Sequence, residues 1–276
     1  MENASTVEKL ADELRVARDR ASRVELASSE LRRFWTIFSM DLANIATSPM
    51  LLLYNTVFIV LMLLIMGSLT SGIFASMADT YEYYLVTFAV FGMLEGAMTA
   101  SNAFLERDIR RPNLRIIHSP TSPVAIPLSK TLAAGTFDLA CHAGVCLGFC
   151  LLVGTTLGSD PWPFLILMAL VEYASAALGT LFCCVFRCEE TTSMLLSTVV
   201  ELLCVAGGTF FPLEAFWPAV AAFSAVTPVS WLNDAFFSMA VDGDASLLAP
   251  LAIGTLVVFA LLAWGSSRLF KTEDYL

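Results

Sequence analysis

The chain has 276 residues, of which 57% are hydrophobic and 14% charged, with a mean hydropathy of +0.74 and a net charge of -10. A soluble domain carries about 25% charged and 45–50% apolar residues, so this composition excludes a soluble globular protein, a disordered chain and a collagen-like fibre. It calls for several lipid-facing segments, about six spans of roughly 20 residues with short loops, and the acidic balance argues against a nucleic-acid binder.

Residues 1–28 are polar and hold no apolar core of the kind a signal peptide needs. Val7, Leu10, Leu14, Ala17, Ala21 and Val24 recur in alternating steps of three and four, which fits either a solvated helix with one apolar face or a coiled-coil pairing site. A second amphipathic helix follows over 29–48. Leu31, Phe34, Trp35, Phe38, Leu42 and Ile45 share a face, with Arg32, Arg33, Thr36 and Asn44 off it. Bulky apolar residues beside arginines suit a helix lying in the membrane interface. Pro49 allows a turn into the bilayer.

Six spans are expected inside 50–267, at about 50–69, 83–104, 131–157, 162–186, 194–211 and 247–267. A loop at 106–130 joins the second and third, and a tail follows at 268–276. Between the fifth and last spans, 210–240 is apolar and aromatic but broken by Pro212, Pro218 and Pro228. Proline in a helix interior removes a donor and clashes with the preceding turn. Two short re-entrant helices at the outer side are therefore expected, shielded by protein because irregular backbone is not tolerated against lipid. The expected fold is an all-α membrane protein.

Charge placement sets the orientation. Every one of the 15 Lys and Arg residues lies before the first span, in the 106–130 loop, at Arg187 or after the last span. The other side carries Asp79, Glu82, Asp160, Glu214, Asp234, Asp242 and Asp244. The positive-inside rule then places both termini in the cytoplasm.

Known catalytic signatures are missing. No Gly-Lys pair exists, so the chain has no phosphate loop, and His-Glu-x-x-His, Gly-x-Ser-x-Gly and Cys-x-x-Cys do not occur. The seven cysteines (Cys141, Cys146, Cys150, Cys183, Cys184, Cys188, Cys204) are odd in number and sit in or beside apolar stretches, which is not the pattern of a secreted disulfide framework.

The loop from Glu106 to Pro123 opens with charges, carries Leu114, Ile116 and Ile117, and closes on two Ser-Pro steps. Asn113 can cap a short helix that Pro120 stops. This is either a docking knob for a soluble partner or an ordinary basic loop that sets topology. With the Ser129-Lys130 pair opening the third span, the arrangement resembles the membrane subunit of ABC-2 type transporters. A second match is Gly207-Gly208-Thr209-Phe210-Phe211-Pro212-Leu213-Glu214, followed by Thr227-Pro228-Val229-Ser230-Trp231-Leu232-Asn233-Asp234-Ala235. The resemblance runs from about Leu31 to the C-terminus. One departure is Arg111-Pro112-Asn113, which stands where the family often has an acidic-basic-Gly-Thr run.

The resemblance implies a permease that pairs with a second, identical or different, permease and with cytoplasmic ABC ATPases. ATP and Mg would be held by those partner chains, with no cofactor on this one and no enzymatic activity of its own. Leu114, Arg115, Ile116, Ile117 and His118 would form the coupling helix. Residues 29–48, with Phe34, Trp35, Phe38 and Leu42, would form the connecting helix. An aromatic outer vestibule with Phe211, Phe216, Trp217, Trp231 and Phe236 would suit an amphiphilic or lipid-linked cargo such as a drug, a lipid or a glycan carrier.

Four acids, Glu95, Asp138, Glu172 and Glu201, lie within spans, where a charge costs about 2.5–3.5 kcal/mol on insertion scales. Asp138 and His142 share a helix face with Cys146 and Cys150. That stripe reads as a metal or proton pathway, or as a narrow packing face, which Gly144 and Gly148 on the same helix would favour. Glu95 beside Gly92, Gly96 and Ala100 fits a protonated or hydrogen-bonded glutamate between helices, or a substrate contact. No metal ligand set is assigned, and the thiols read as small hydrophobes. The competing reading of the whole chain is an ion-coupled carrier or channel that uses these four acids and needs no ATPase.

Overall fold

The computed structural model describes residues 29–72, 77–105, 122, 124–211 and 218–271, and within them every regular element is helical. The expected helix at 1–28, the coupling residues Leu114–His118, and Phe216 and Trp217 lie outside the described residues.

Helix α1 covers 29–46. Its buried side is Ile37, Asp41 and Ile45, with Phe34, Phe38 and Leu42 half-buried. On the expected face Leu31 and Trp35 are more than half exposed, and an acid occupies the centre of the buried stripe.

Helix α2 spans Pro49–Thr70, with proline in its first turn, where no amide partner is lost. A π-helical turn at Leu53–Phe58 interrupts it. Such widened turns cluster at functional sites, and this one carries the buried Asn55 and, at the bundle surface, Tyr54, whose hydroxyl reaches Glu95.

Helix α3 is Met77–Leu105, α4 is Ala125–Val153 and α5 is Trp162–Phe186. Gly154, at φ 82°, ends α4 in the left-handed conformation that glycine adopts without steric cost. Helix α6 is Glu189–Ala206, α7 is Pro218–Ser224, α8 is Pro228–Phe237 continued by a π turn at Ser238–Asp242, and α9 is Leu248–Leu269. Helix α3 is central, packed against α2, α4, α5, α6 and α8, and α9 lies on α5.

Five of these helices are long and apolar enough to cross a membrane: Pro49–Thr70, Thr80–Leu105, Ala125–Val153, Trp162–Phe186 and Leu248–Leu269. The span expected at 194–211 forms as a helix shifted five residues earlier, Glu189–Ala206, and it carries Glu189, Glu190 and Glu201. Acids in a first turn complement the helix dipole, and Gly207 closes the other end by accepting a neighbour. A Cβ there would lie 2.5 Å from Cβ of Val229.

Close approach also fixes the centre. A Cβ on Gly179 of α5 would fall 2.0 Å from the carbonyl oxygen of Ala97 on α3, so only glycine permits this crossing. Gly144 and Gly148, expected to mediate packing, meet nothing within 4 Å in the single chain. On α4 the glycine at a close helix contact is Gly135, whose Cβ position lies 2.5 Å from the Tyr173 ring of α5.

Candidate functional site: a basic-end strut and a buried polar centre

Two polar assemblies are built into the bundle. The first lies where α1, the end of α3 and the start of α4 meet, at the end of the bundle that also carries Arg187 and Arg268. Lys130 Nζ donates to Asp41 Oδ1 at 3.0 Å and to the carbonyl oxygen of Ala103 at 3.1 Å. Ser129 Oγ donates to Asp41 Oδ2 at 2.9 Å. Lys130 is 1% exposed and Asp41 3%. A buried charge of this kind persists only when paired and hydrogen-bonded, and here both carboxylate oxygens are used. Ile37, Phe104, Ile126, Cys183, Cys184 and Phe270 pack into one apolar cluster beside it. The strut therefore pins α1 to the two helix ends that flank residues 106–121. The sequence reading counted Lys130 among the loop's basic residues. Asp41 was missed, although an acid four residues from Ile37 and from Ile45 on one stripe is the signal for it.

The second assembly lies halfway along α2–α5. His142 Nδ1 and Glu172 Oε1 are 2.5 Å apart. Asp138, one turn before His142, is fully buried, as is Glu172. Asp138 and His142 are both buried, and the partner His142 finds is Glu172 from α5. Cys146 is buried on the same face of α4 and Cys150 is half-buried. Gly96 of α3 covers the acids: a Cβ there would sit 3.0 Å from Asp138 Oδ2 and 3.0 Å from Glu172 Oε2. Gly92, one turn earlier, lies over the ring, with its Cβ position 3.0 Å from His142 Nε2. Both oxygens of Asp138, Glu172 Oε2 and His142 Nε2 reach no hydrogen-bond partner. Among the described residues no group of three His, Cys, Asp or Glu is arranged to hold a metal ion.

Glu95 turns the other way, to α2, where Tyr54 donates its hydroxyl to Glu95 Oε2 at 2.6 Å. The expectation of a hydrogen-bonded glutamate between helices matches this contact. Asn55 Nδ2 donates to Thr99 Oγ1 at 3.1 Å and to the Leu51 carbonyl at 3.0 Å. Tyr54 and Asn55 were not singled out from sequence, although a Tyr-Asn pair early in an otherwise apolar span is a visible break. Glu201 is exposed on α6, and its charge acts on Glu95 and Tyr54.

At the opposite end the two segments of the second motif come together. Asn233 Nδ2 donates to the Gly207 carbonyl at 3.0 Å, and Tyr83 donates its hydroxyl to the Gly208 carbonyl at 2.8 Å. Thr227 caps α8 by accepting from the Ser230 amide at 3.2 Å, with Pro228 in the first turn. Phe211 and Trp231 are about half exposed, the indole of Trp231 donating to the Ala225 carbonyl at 2.8 Å. Phe236 is placed differently from the expected vestibule lining: it is fully buried, edge-on to Phe164 at 4.6 Å between ring centroids.

A sheath of exposed Leu, Ile, Val and Trp on α2 and α9 around a charged interior defines a polytopic helical membrane protein. The model of the ABC-2 type transporter family matches residues 32–240, and the chain belongs to that family as a membrane permease. No single curated protein shows a significant match.

Proposed function

We propose that the chain is the membrane subunit of an ATP-driven exporter, working with a second permease and with ABC ATPases on separate chains. The observation that carries this reading, beyond the family match, is the buried strut that ties α1, α3 and α4 together around the 106–121 loop. A push on Leu114–His118 would reach Leu105 and Ala125 directly. Lys130 would pass it to Asp41, so the interfacial helix and two spans would move as one body.

In this reading α6 is the sixth span. Its 18 residues rise about 27 Å, close to the roughly 30 Å hydrocarbon core. Counting it keeps every Lys and Arg on one side of the membrane, with both chain ends cytoplasmic. The cargo is amphiphilic or lipid-linked. Exposed Phe211, Phe223 and Trp231 at the acidic end offer apolar and aromatic surface where it would leave.

The test is association with a co-expressed ABC ATPase. The full chain is expected to co-purify with it, and Leu114→Asp with Ile117→Asp is expected to abolish that. Retention of the ATPase by the double variant would refute the coupling-helix assignment.

A further inference from the structure

We propose that Asp138, His142 and Glu172 form a proton-binding site inside the bundle, which keeps two protons where the same groups in water would hold almost none. The site is defined by charge accounting and geometry. All three side chains are at most 2% exposed. Only one of their contacts is satisfied, the 2.5 Å link between His142 Nδ1 and Glu172 Oε1, and a proton lies between those two atoms.

Among the described residues, the elements around the site bring no cation to it. Helix α3 contributes Gly92, Gly96 and Thr99, and its Glu95 is bonded to Tyr54 on α2. Thr99 stands beside Asp138; its oxygen accepts from Asn55 of α2, which leaves its hydroxyl proton to turn toward the Asp138 carboxyl, a neutral donor that brings no balancing charge. Helix α4 adds Cys141 and Cys146, and α5 adds Tyr173, whose hydroxyl is engaged with Thr136. Glu201 of α6 faces Glu95 and Tyr54. Between its ends α9 has no titratable residue. The nearest lysine on α4, Lys130, is committed to Asp41 and the Ala103 carbonyl.

No fixed cation therefore balances the two acids. The triad is neutral only with two protons, held either as an imidazolium–carboxylate pair plus one carboxylic acid or as a neutral imidazole with two carboxylic acids. A net charge in this place is strongly disfavoured. In water at about pH 8 the same three groups would hold almost no proton, because Asp, Glu and His titrate near about 3.9, 4.3 and 6.5. Three of the orphaned atoms, Asp138 Oδ2, Glu172 Oε2 and His142 Nε2, lie against the bare backbone of Gly92 and Gly96. Helix α3 thus closes this side of the site. The metal alternative lacks a ligand set among the described residues.

The test uses the full chain alone in phosphatidylethanolamine–phosphatidylglycerol nanodiscs, so its outcome is independent of any ATPase. Infrared spectra are taken at about pH 8, with Glu95→Gln as the background that removes the other buried acid. The background protein is expected to keep a carboxylic-acid carbonyl band that shifts in deuterated water. Adding Asp138→Asn should remove about one carboxyl equivalent per chain. Proton release on denaturation at about pH 8 should be about two per chain greater than for the variant with Asp138→Asn, Glu172→Gln and His142→Gln. If Asp138→Asn does not fold, the background spectrum still decides. A spectrum without any carboxylic-acid band at that pH, or equal proton release from the two proteins, would overturn the proposal.

Discussion

The two buried polar assemblies make opposite uses of the same residue types. At the basic end, Asp41 and Lys130 are both buried and satisfied: both carboxylate oxygens accept, and the ammonium has two acceptors. In the centre, Asp138, Glu172 and His142 are equally buried but leave four polar atoms without partners. A closed network is what a structural strut requires, because it has one low-energy arrangement. An open one over glycines is a place where protons, water or a shifted helix can change the balance. The basic end is a closed, fully paired network, whereas the centre keeps polar atoms free to change partners.

The largest effect should come from cutting the strut. Asp41→Ala leaves Lys130 charged and buried with one carbonyl acceptor, and is expected to cost about 3–5 kcal/mol of stability in detergent unfolding. Adding Lys130→Met should recover most of that loss. If the double variant is no more stable than Asp41→Ala, the pair does not act as an isolated charge strut.

Crowding the interfaces of α3 comes next. Gly179→Ala drives a methyl into the Ala97 backbone and should fall near the upper end of the roughly 1–3 kcal/mol seen for overpacking. Gly96→Ala meets only carboxylate oxygens that can turn aside, and belongs near the lower end. Equal losses would mean that the centre is as rigid as the backbone crossing. Tyr54→Phe removes the donor to Glu95 Oε2 and is expected to cost about 1 kcal/mol, measured by the same unfolding assay.

The smallest effect lies outside the spans. Hydrogen bonds from the Ser246 hydroxyl and amide hold the Asp244 carboxyl below the usual aspartate range. Its contribution to stability is present above the ordinary value of about 3.9 and is lost as pH falls through the lower folded value. Ser246→Ala should move the Asp244 titration upward, followed by carbon-13 NMR of the labelled side chain. Asp244 is fully exposed, so unfolding midpoints should barely change.

Much of this arrangement is legible in the chain. The spans follow from sustained hydropathy, and Trp162–Phe186 falls at its expected bounds because Pro161, Pro163 and Arg187 punctuate it. Helix α4 begins at Ala125 rather than near residue 131, because the charge on Lys130 that reads as loop is neutralised by Asp41 in the fold. The one-turn spacing of Asp138 and His142 announced half of the central site. Glu172 joins them through tertiary packing, which no local pattern records. The π turn that delivers Tyr54 and Asn55 is likewise invisible to a helical period, since it shifts the phase within the span.

The central claim, transport driven by ATP hydrolysed on another chain, is tested most directly in proteoliposomes holding the permease with its ABC ATPase and a fluorescent amphiphile. The account predicts amphiphile movement that requires ATP, stops when the ATPase is omitted, and does not arise from a proton gradient alone. Movement driven by a proton gradient without the ATPase would contradict it and favour an ion-coupled carrier.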